Sequence, residues 1–122
     1  MDNCLFCKII KGEVPSHKIY EDNFVYAFLD INPEKPGHTL VIPKKHSENI
    51  FDIEKDDLEK VIMASKKISQ KMEQLGYGGV NIYNNNGENS GQIVFHFHMH
   101  IVPRNMPSDS FENIASRLKI EQ

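Results

Sequence analysis

Residues 92–104 read QIVFHFHMHIVPR, and the pattern within them decides how the rest of the chain is assembled. His96, His98 and His100 alternate with Phe95, Phe97, Met99 and Ile101. A period of two belongs to a strand, because successive side chains of an extended chain point to opposite faces. The spacing predicts a strand over 93–102. Its apolar set would pack into a core, and its three imidazoles would stand about 7 Å apart on the other face. A half-buried strand could fill those positions with Thr, Lys or Ser at no cost to packing, so three histidines in a row point to chemistry. Two chemistries suit the row. Three neutral imidazoles can hold a catalytic zinc with an open fourth position. Successive side chains of one strand diverge, however, and a compact three-ligand cap draws a ligand from a neighbouring strand. Alternatively, one imidazole is a nucleophile toward phosphorus or carbon while its neighbours orient it and move protons. Imidazole suits phosphoryl-type transfer because it is substantially unprotonated at neutral pH and its phosphorus adduct is labile to water.

Working outward, Val80–Tyr83 reads as a strand joined to the histidine strand by NNNGENSGQ (84–92), a loop rich in residues that tolerate left-handed geometry. The two strands are expected to pair antiparallel. Upstream, Leu58, Val61, Ile62, Ser65, Ile68, Met72 and Leu75 recur every three or four residues. That spacing predicts an amphipathic helix from about Lys55 to Leu75, ended by Gly76, covering one sheet face. HTLVIP (38–43) is a strand after the turn Asn32–Gly37, and 17–21 and 24–29 form a hairpin split by Asp22-Asn23. Leu5–Ile10 has helical spacing stopped by Gly12, and the tail from Ser108 to Gln122 holds another short helix. Helix, three strands, helix, two strands is the order of an α+β domain: a five-stranded, mostly antiparallel sheet with one long helix and short flanking helices.

A length of 122 residues without repeats or linker-like tracts suits a single domain over 1–122, with a core over about 4–104 and a C-terminal tail over 105–122. Hydrophobic residues at 39% and charged residues at 25% argue against disorder. Fourteen basic against seventeen acidic residues, with no dense basic stretch, argue against a nucleic-acid partner. No apolar run approaches the roughly 18 residues that cross a bilayer, and MDNCLFCKII lacks the features of an export signal, so a cytoplasmic location without a membrane partner is expected. Cys4 and Cys7 are too few for a disulfide scaffold. Their spacing offers two metal ligands, a redox pair or two inert buried thiols; the redox reading expects a strand directly before the pair, and none precedes Cys4.

The run HFHMHIV (96–102) resembles the signature of the histidine triad (HIT) family, His-apolar-His-apolar-His-apolar-apolar, with every position filled. AFLDINPEKPGHTLVIPKKH (27–46) is similar to that family's ribose-binding strand and turn, and NNNGENSGQ to its phosphate loop. The resemblance is greatest to the nucleoside phosphoramidase branch. It implies a HIT-like fold and a hydrolase or transferase that cleaves phosphoramidate or related bonds at the α-phosphorus of purine nucleotides. His98 would be the nucleophile that forms a nucleotidyl-histidine, and His100 with His38 would relay protons at the leaving group. It implies that Asp30 accepts the ribose hydroxyls, that Asn85, Gly87 and Gln92 contact phosphate, and that Leu5, Phe6, Ile9, Val14 and Phe28 sandwich the base. Many relatives of that branch carry Ser where this chain has Ile93, so a leaving-group contact is lost. Members of the wider superfamily carry a structural zinc whose four ligands correspond here to Cys4, Cys7, His46 and His96; no metal would be required for the chemistry. A homodimer is also implied. The rival reading from another class is a purine nucleotide-binding regulatory module with little turnover.

Overall fold

β-Branched and aromatic runs interrupted by turn residues build the first half of the sheet. The computed structural model describes residues 3–121; Met1, Asp2 and Gln122, the ends of the expected span and tail, lie outside the described residues. Strands β1 (Lys18–Glu21) and β2 (Val25–Leu29) form an antiparallel hairpin. Its turn is tied by Asp22, whose Oδ1 accepts the N–H groups of Phe24 and Val25. After the Pro- and Gly-containing turn comes β3 (Thr39–Pro43), then the long helix α2 (Lys55–Gln74), β4 (Val80–Tyr83) and β5 (Met99–Pro103). Two shorter helices flank them: α1 (Leu5–Ile10) and α3 (Phe111–Leu118). The strand order is β1-β2-β3-β5-β4, and all four pairings are antiparallel.

Every residue of β2 and β3 is buried because both faces of the sheet are covered. Val25, Ala27, Leu29, Val41, Met99 and Ile101 face α2, where they meet Val61, Ala64, Ile68 and Met72. On the opposite face Tyr26, Phe28, Leu40 and Ile42 meet Phe6 and Ile9 of α1. The alternation of each strand thus feeds two separate apolar clusters. α3 packs Ile114 and Leu118 into the first of them, and its Ser110 cap accepts the Asn113 N–H.

One expectation requires correction. The histidine stretch is not extended from residue 93: the strand begins at Met99, and 93–98 lie outside the ladder. The neighbouring strands supply the reason, since β3 pairs with β5 only back to Met99 and β4 only back to His100. Upstream of that point the backbone is held by a loop instead, with the Phe97 N–H donating to the Ser47 carbonyl at 2.7 Å. The apolar half of the prediction survives for Phe97, Met99 and Ile101 but not for Phe95, which is exposed. The three histidines therefore do not stand in one even row.

Candidate active site

The departure of 93–98 from the sheet sends the three imidazoles to different partners. His96 is fully buried, and its Nε2 lies 2.8 Å from the Pro43 carbonyl. A carbonyl only accepts, so Nε2 carries the proton and Nδ1 is left with a lone pair. Burial also drives the His96 pKa down to about 4, which keeps the ring neutral. The same logic applies to His98, whose Nδ1 lies 2.7 Å from the His96 carbonyl and must donate to it. Burial lowers the His98 pKa too, leaving a neutral ring with its lone pair on Nε2.

His100 belongs to the strand proper, between Leu40 and Tyr83. His38, at the end of the turn before β3, accepts the Glu34 N–H at Nδ1 (3.0 Å). That bond forces the proton onto His38 Nε2, which donates to His100 Nδ1 at 2.9 Å. His100 must then carry its own proton on Nε2, an atom that is buried and has no hydrogen-bond partner among the described residues. An unsatisfied buried donor costs about 1–3 kcal/mol, a cost that a ligand atom accepting that proton would offset. Burial, followed by the neighbouring His98 and His38, pushes the His100 pKa down to about 4. Burial likewise lowers that of His38. Asp30 stands next in line, its Oδ2 3.6 Å from His38 Nε2 while Oδ1 accepts the Asn32 N–H. Asp30, His38 and His100 are close enough to cap a cation, but the tautomer fixed by Glu34 puts a proton on His38 Nε2, so the geometry is that of a relay.

These groups share the wall of one cleft of about 460 Å³, a size typical of small-molecule sites. His38, His98, His100 and Asp30 form its polar end, and Leu5, Phe6, Ile9, Val14 and Phe28 its apolar end. The Phe6 ring stands edge-on to both Phe28 (5.4 Å) and His98 (5.1 Å), joining the two ends. Asn85 also lines the cleft, because its neighbours are tied down: Asn84 donates to the His98 carbonyl and Asn86 accepts the Ile50 N–H. Gly87 and Gln92 are placed differently from the other expected site residues. Gln92 accepts the Gly87 N–H and donates to the carbonyls of Glu48 and Val94, so the pair closes the loop on itself behind the cleft wall.

Cys4, Cys7, His46 and His96 form a second cluster whose ligand atoms all lie within 4.8 Å of one another, and which could hold a metal ion. Cys4 caps α1, its sulfur accepting the Cys7 N–H at 3.3 Å. Cys7 Sγ lies 3.4 Å from His46 Nδ1, Cys4 Sγ 3.4 Å from His96 Nδ1, and the two Nδ1 atoms lie 3.2 Å apart. Without a cation, burial and then Cys4 push the Cys7 thiol up to about 11. The donor set of two sulfurs and two imidazole nitrogens, with His96 Nδ1 unprotonated, fits a closed tetrahedral site.

Three contributors were not singled out from the sequence. The Tyr83 ring stacks on His100 at 4.4 Å and 10°, Glu34 holds His38, and Arg104 pairs with Glu34. Turn residues and a strand-end arginine are unremarkable in sequence, and only the aromatic directly before the Asn-rich loop offered a signal.

A family model described as HIT domain matches residues 11–106. The chain is 42% identical over 101 residues to an adenosine 5′-monophosphoramidase of Saccharomyces cerevisiae, covering 83% of this chain and 62% of that protein. Among solved structures it is similar to a HIT-like protein from Bartonella henselae (TM-score 0.90, 39% identity, 98% and 96% of the two chains). It is also similar to a Zn-bound histidine triad family protein from Mycobacterium smegmatis (TM-score 0.91, 33% identity, 97% and 91% of the two chains).

Proposed function

The chain belongs to the histidine triad family, and from that premise we propose that it hydrolyses phosphoramidate or related bonds at the α-phosphorus of purine nucleotides through a nucleotidyl-His98 intermediate. The observation that carries this reading is the tautomer of His98: its Nδ1–H is spent on the His96 carbonyl, so the lone pair rests on Nε2 of a ring that lines the cleft. In the first half-reaction His98 Nε2 forms a bond to phosphorus as the bond to the leaving nitrogen breaks. The His38–His100 pair takes up one proton from solvent as the anionic substrate binds, and His100 Nε2 gives a proton to that nitrogen, which leaves both rings neutral. The positive charge gained by the His98 ring, whose centroid lies 4.9 Å from that of His100, favours the proton's departure. Water then attacks phosphorus, its proton restores the His38–His100 pair, and the nucleoside monophosphate leaves.

Asp30 Oδ2 is assigned to the ribose hydroxyls, Asn85 and the loop shaped by Gly87 and Gln92 to the phosphate, and the apolar end of the cleft to the base. The adenosine substrate of the yeast relative supports a purine. We assign a structural zinc to Cys4, Cys7, His46 and His96. Tetrahedral zinc with two sulfur and two nitrogen ligands would hold its ligand atoms about 3.3–3.8 Å apart; four of the six separations here are 3.2–3.6 Å, close to that spacing, and all lie within 4.8 Å. The His96 Nε2–H bond to Pro43 is the outer-shell contact that orients such a ligand. Four protein ligands leave no position for water, so the metal would brace α1 against the catalytic segment. Two thiols kept available for a metal belong in a reducing compartment, which supports a cytoplasmic location. Edge strand β4 and exposed Ile62 and Ile82 beside it support a homodimer through that edge.

The test is turnover of an adenosine 5′-phosphoramidate. Hydrolysis by the native protein and its loss in His98→Ala is expected. Equal rates in both would overturn the nucleophile, and tight nucleoside monophosphate binding without turnover of any phosphoramidate would favour the regulatory module.

A further inference from the structure

The cleft wall contains a network that the reaction as described does not use. The Glu34 carboxylate accepts from the Tyr83 hydroxyl (3.2 Å) and from Arg104 Nη1 (2.7 Å), while Arg104 Nε donates to Asn81. Asn81 and Tyr83 lie two apart on β4, so the contacts close a ring that links the turn before β3 to the far edge of the sheet. Tyr83 sits directly opposite His100 in the β4–β5 register, its ring parallel to the imidazole. Both Glu34 and Tyr83 line the cleft.

Stability does not account for this network. Glu34 and Arg104 are 44% and 38% exposed, and ion pairs of that kind contribute about 0–1 kcal/mol. Position does account for it. Among the described residues the hydrogen bond that sets which His38 nitrogen is protonated is that from the Glu34 N–H, with the Asp30 carboxylate 3.6 Å from Nε2 favouring the same tautomer, and the Glu34 side chain pins the turn that presents it. If His38 flipped its proton to Nδ1, its Nε2 could no longer donate to His100. His100 would then be free to carry its proton on Nδ1, with none on the Nε2 atom, which has no partner among the described residues.

We propose that Glu34, Tyr83 and Arg104 form a positioning clamp that holds the His38–His100 pair in the tautomer delivering a proton from His100 Nε2 to the leaving group. The inference rests on the phosphoramidase reading and adds the residues that set its acid. Tyr83 acts twice, through its ring, which fixes the plane of His100, and through its hydroxyl, which fixes Glu34. Burial and then Glu34 raise the Tyr83 pKa, and Arg104 foremost lowers that of Glu34. The phenol thus stays a donor and the carboxylate an acceptor across the neutral range.

The experiment compares two adenosine 5′-substrates, an alkylamine phosphoramidate, whose leaving nitrogen needs a proton, and an acyl adenylate, whose leaving carboxylate does not. In Tyr83→Phe and Glu34→Gln, kcat for the phosphoramidate should fall at least about tenfold. KM and acyl-adenylate turnover should change by less than about twofold. Arg104→Lys, which keeps the charge, should retain more of the phosphoramidate rate than Arg104→Ala. Nitrogen-15 spectra of the histidine rings should show His38 Nδ1 unprotonated in the native protein and a mixture of tautomers in Tyr83→Phe. Equal slowing of both substrates, or an unchanged His38 tautomer in the variants, would overturn the clamp. His98→Ala run alongside separates the two claims: full activity there refutes the nucleophile, and the ring spectra still decide the clamp.

Discussion

Removing the zinc proposed for the Cys4–Cys7–His46–His96 cluster should cost stability before it costs anything else. The four ligands come from the start of α1, the loop after β3 and the segment before β5, so a bound ion ties together three parts of the chain. A ligand that binds only the folded state adds about 2.7 kcal/mol at a hundred times its dissociation constant and about 4.1 kcal/mol at a thousand times. For a domain of this size each kcal/mol moves Tm by about 3–6 °C, so stripping the site should lower Tm by about 10–20 °C. The assay is a thermal melt of metal-loaded protein before and after dialysis against a chelator, with Cys7→Ser treated alike. Cys7→Ser should melt low from the start and respond little to the chelator, while His98→Ala should respond as the native protein does. The same logic gives a pH dependence. Metal binding must displace the Cys7 proton, whose pKa without metal is about 11, so affinity should rise at least about tenfold per pH unit between 6 and 8. Loss of activity on chelation with Tm unmoved would refute a structural ion and point to a metal that takes part in the chemistry.

Other outcomes follow from the packing. Phe97 is fully buried between the sheet and α2, so Phe97→Ala should cost about 3–5 kcal/mol in denaturant unfolding; a loss under about 1 kcal/mol would mean that the segment before β5 is not anchored there. Gly37 has a φ of +89° and a Cβ on it would lie 2.6 Å from Met106 Sδ and 2.9 Å from Pro103 Cγ. Gly37→Ala should therefore destabilise by more than about 1 kcal/mol and displace His38, read as a lower Tm together with lower turnover; a stabilised variant would contradict the packing. His100 takes up a proton near pH 4 in the fold and near pH 6.5 in an unfolded chain. Unfolding thus binds the extra proton between those values, and stability should fall as pH is lowered from about 6.5 to 4. His100→Asn should flatten that slope in urea titrations, and an unchanged slope would assign it to other groups.

The helix periodicity of α2 and the apolar runs of β2 and β3 could be read from residue types, because each is a local pattern, whereas the grouping of Cys4 and Cys7 with His46 and His96 came only through the family resemblance. The limits of β5 could not be read from residue types. Alternation reports which face a side chain takes, whereas a strand runs only as far as its pairing, and the last paired partners, Val41 and Tyr83, lie 58 and 17 positions before Met99 and His100. For the same reason the sequence placed three histidines in one row, when His96 belongs to the cysteine cluster and only His98 and His100 line the cleft. The resemblance assigns Gln92 to the phosphate, and the groups it engages in the fold, the Gly87 N–H and the carbonyls of Glu48 and Val94, have no signature in the residue types of the loop. The Glu34–Tyr83–Arg104 ring joins residues 49 and 70 positions apart, with no local signature to announce it.

A covalent bond between His98 and phosphorus dictates the stereochemical course at the α-phosphorus. A phosphoramidate made chiral with sulfur on that atom is hydrolysed in isotopically labelled water and the configuration of the product is read. Two successive in-line displacements predict overall retention, whereas inversion would mean that water attacks the substrate in a single step and that the His98 ring never bonds to it.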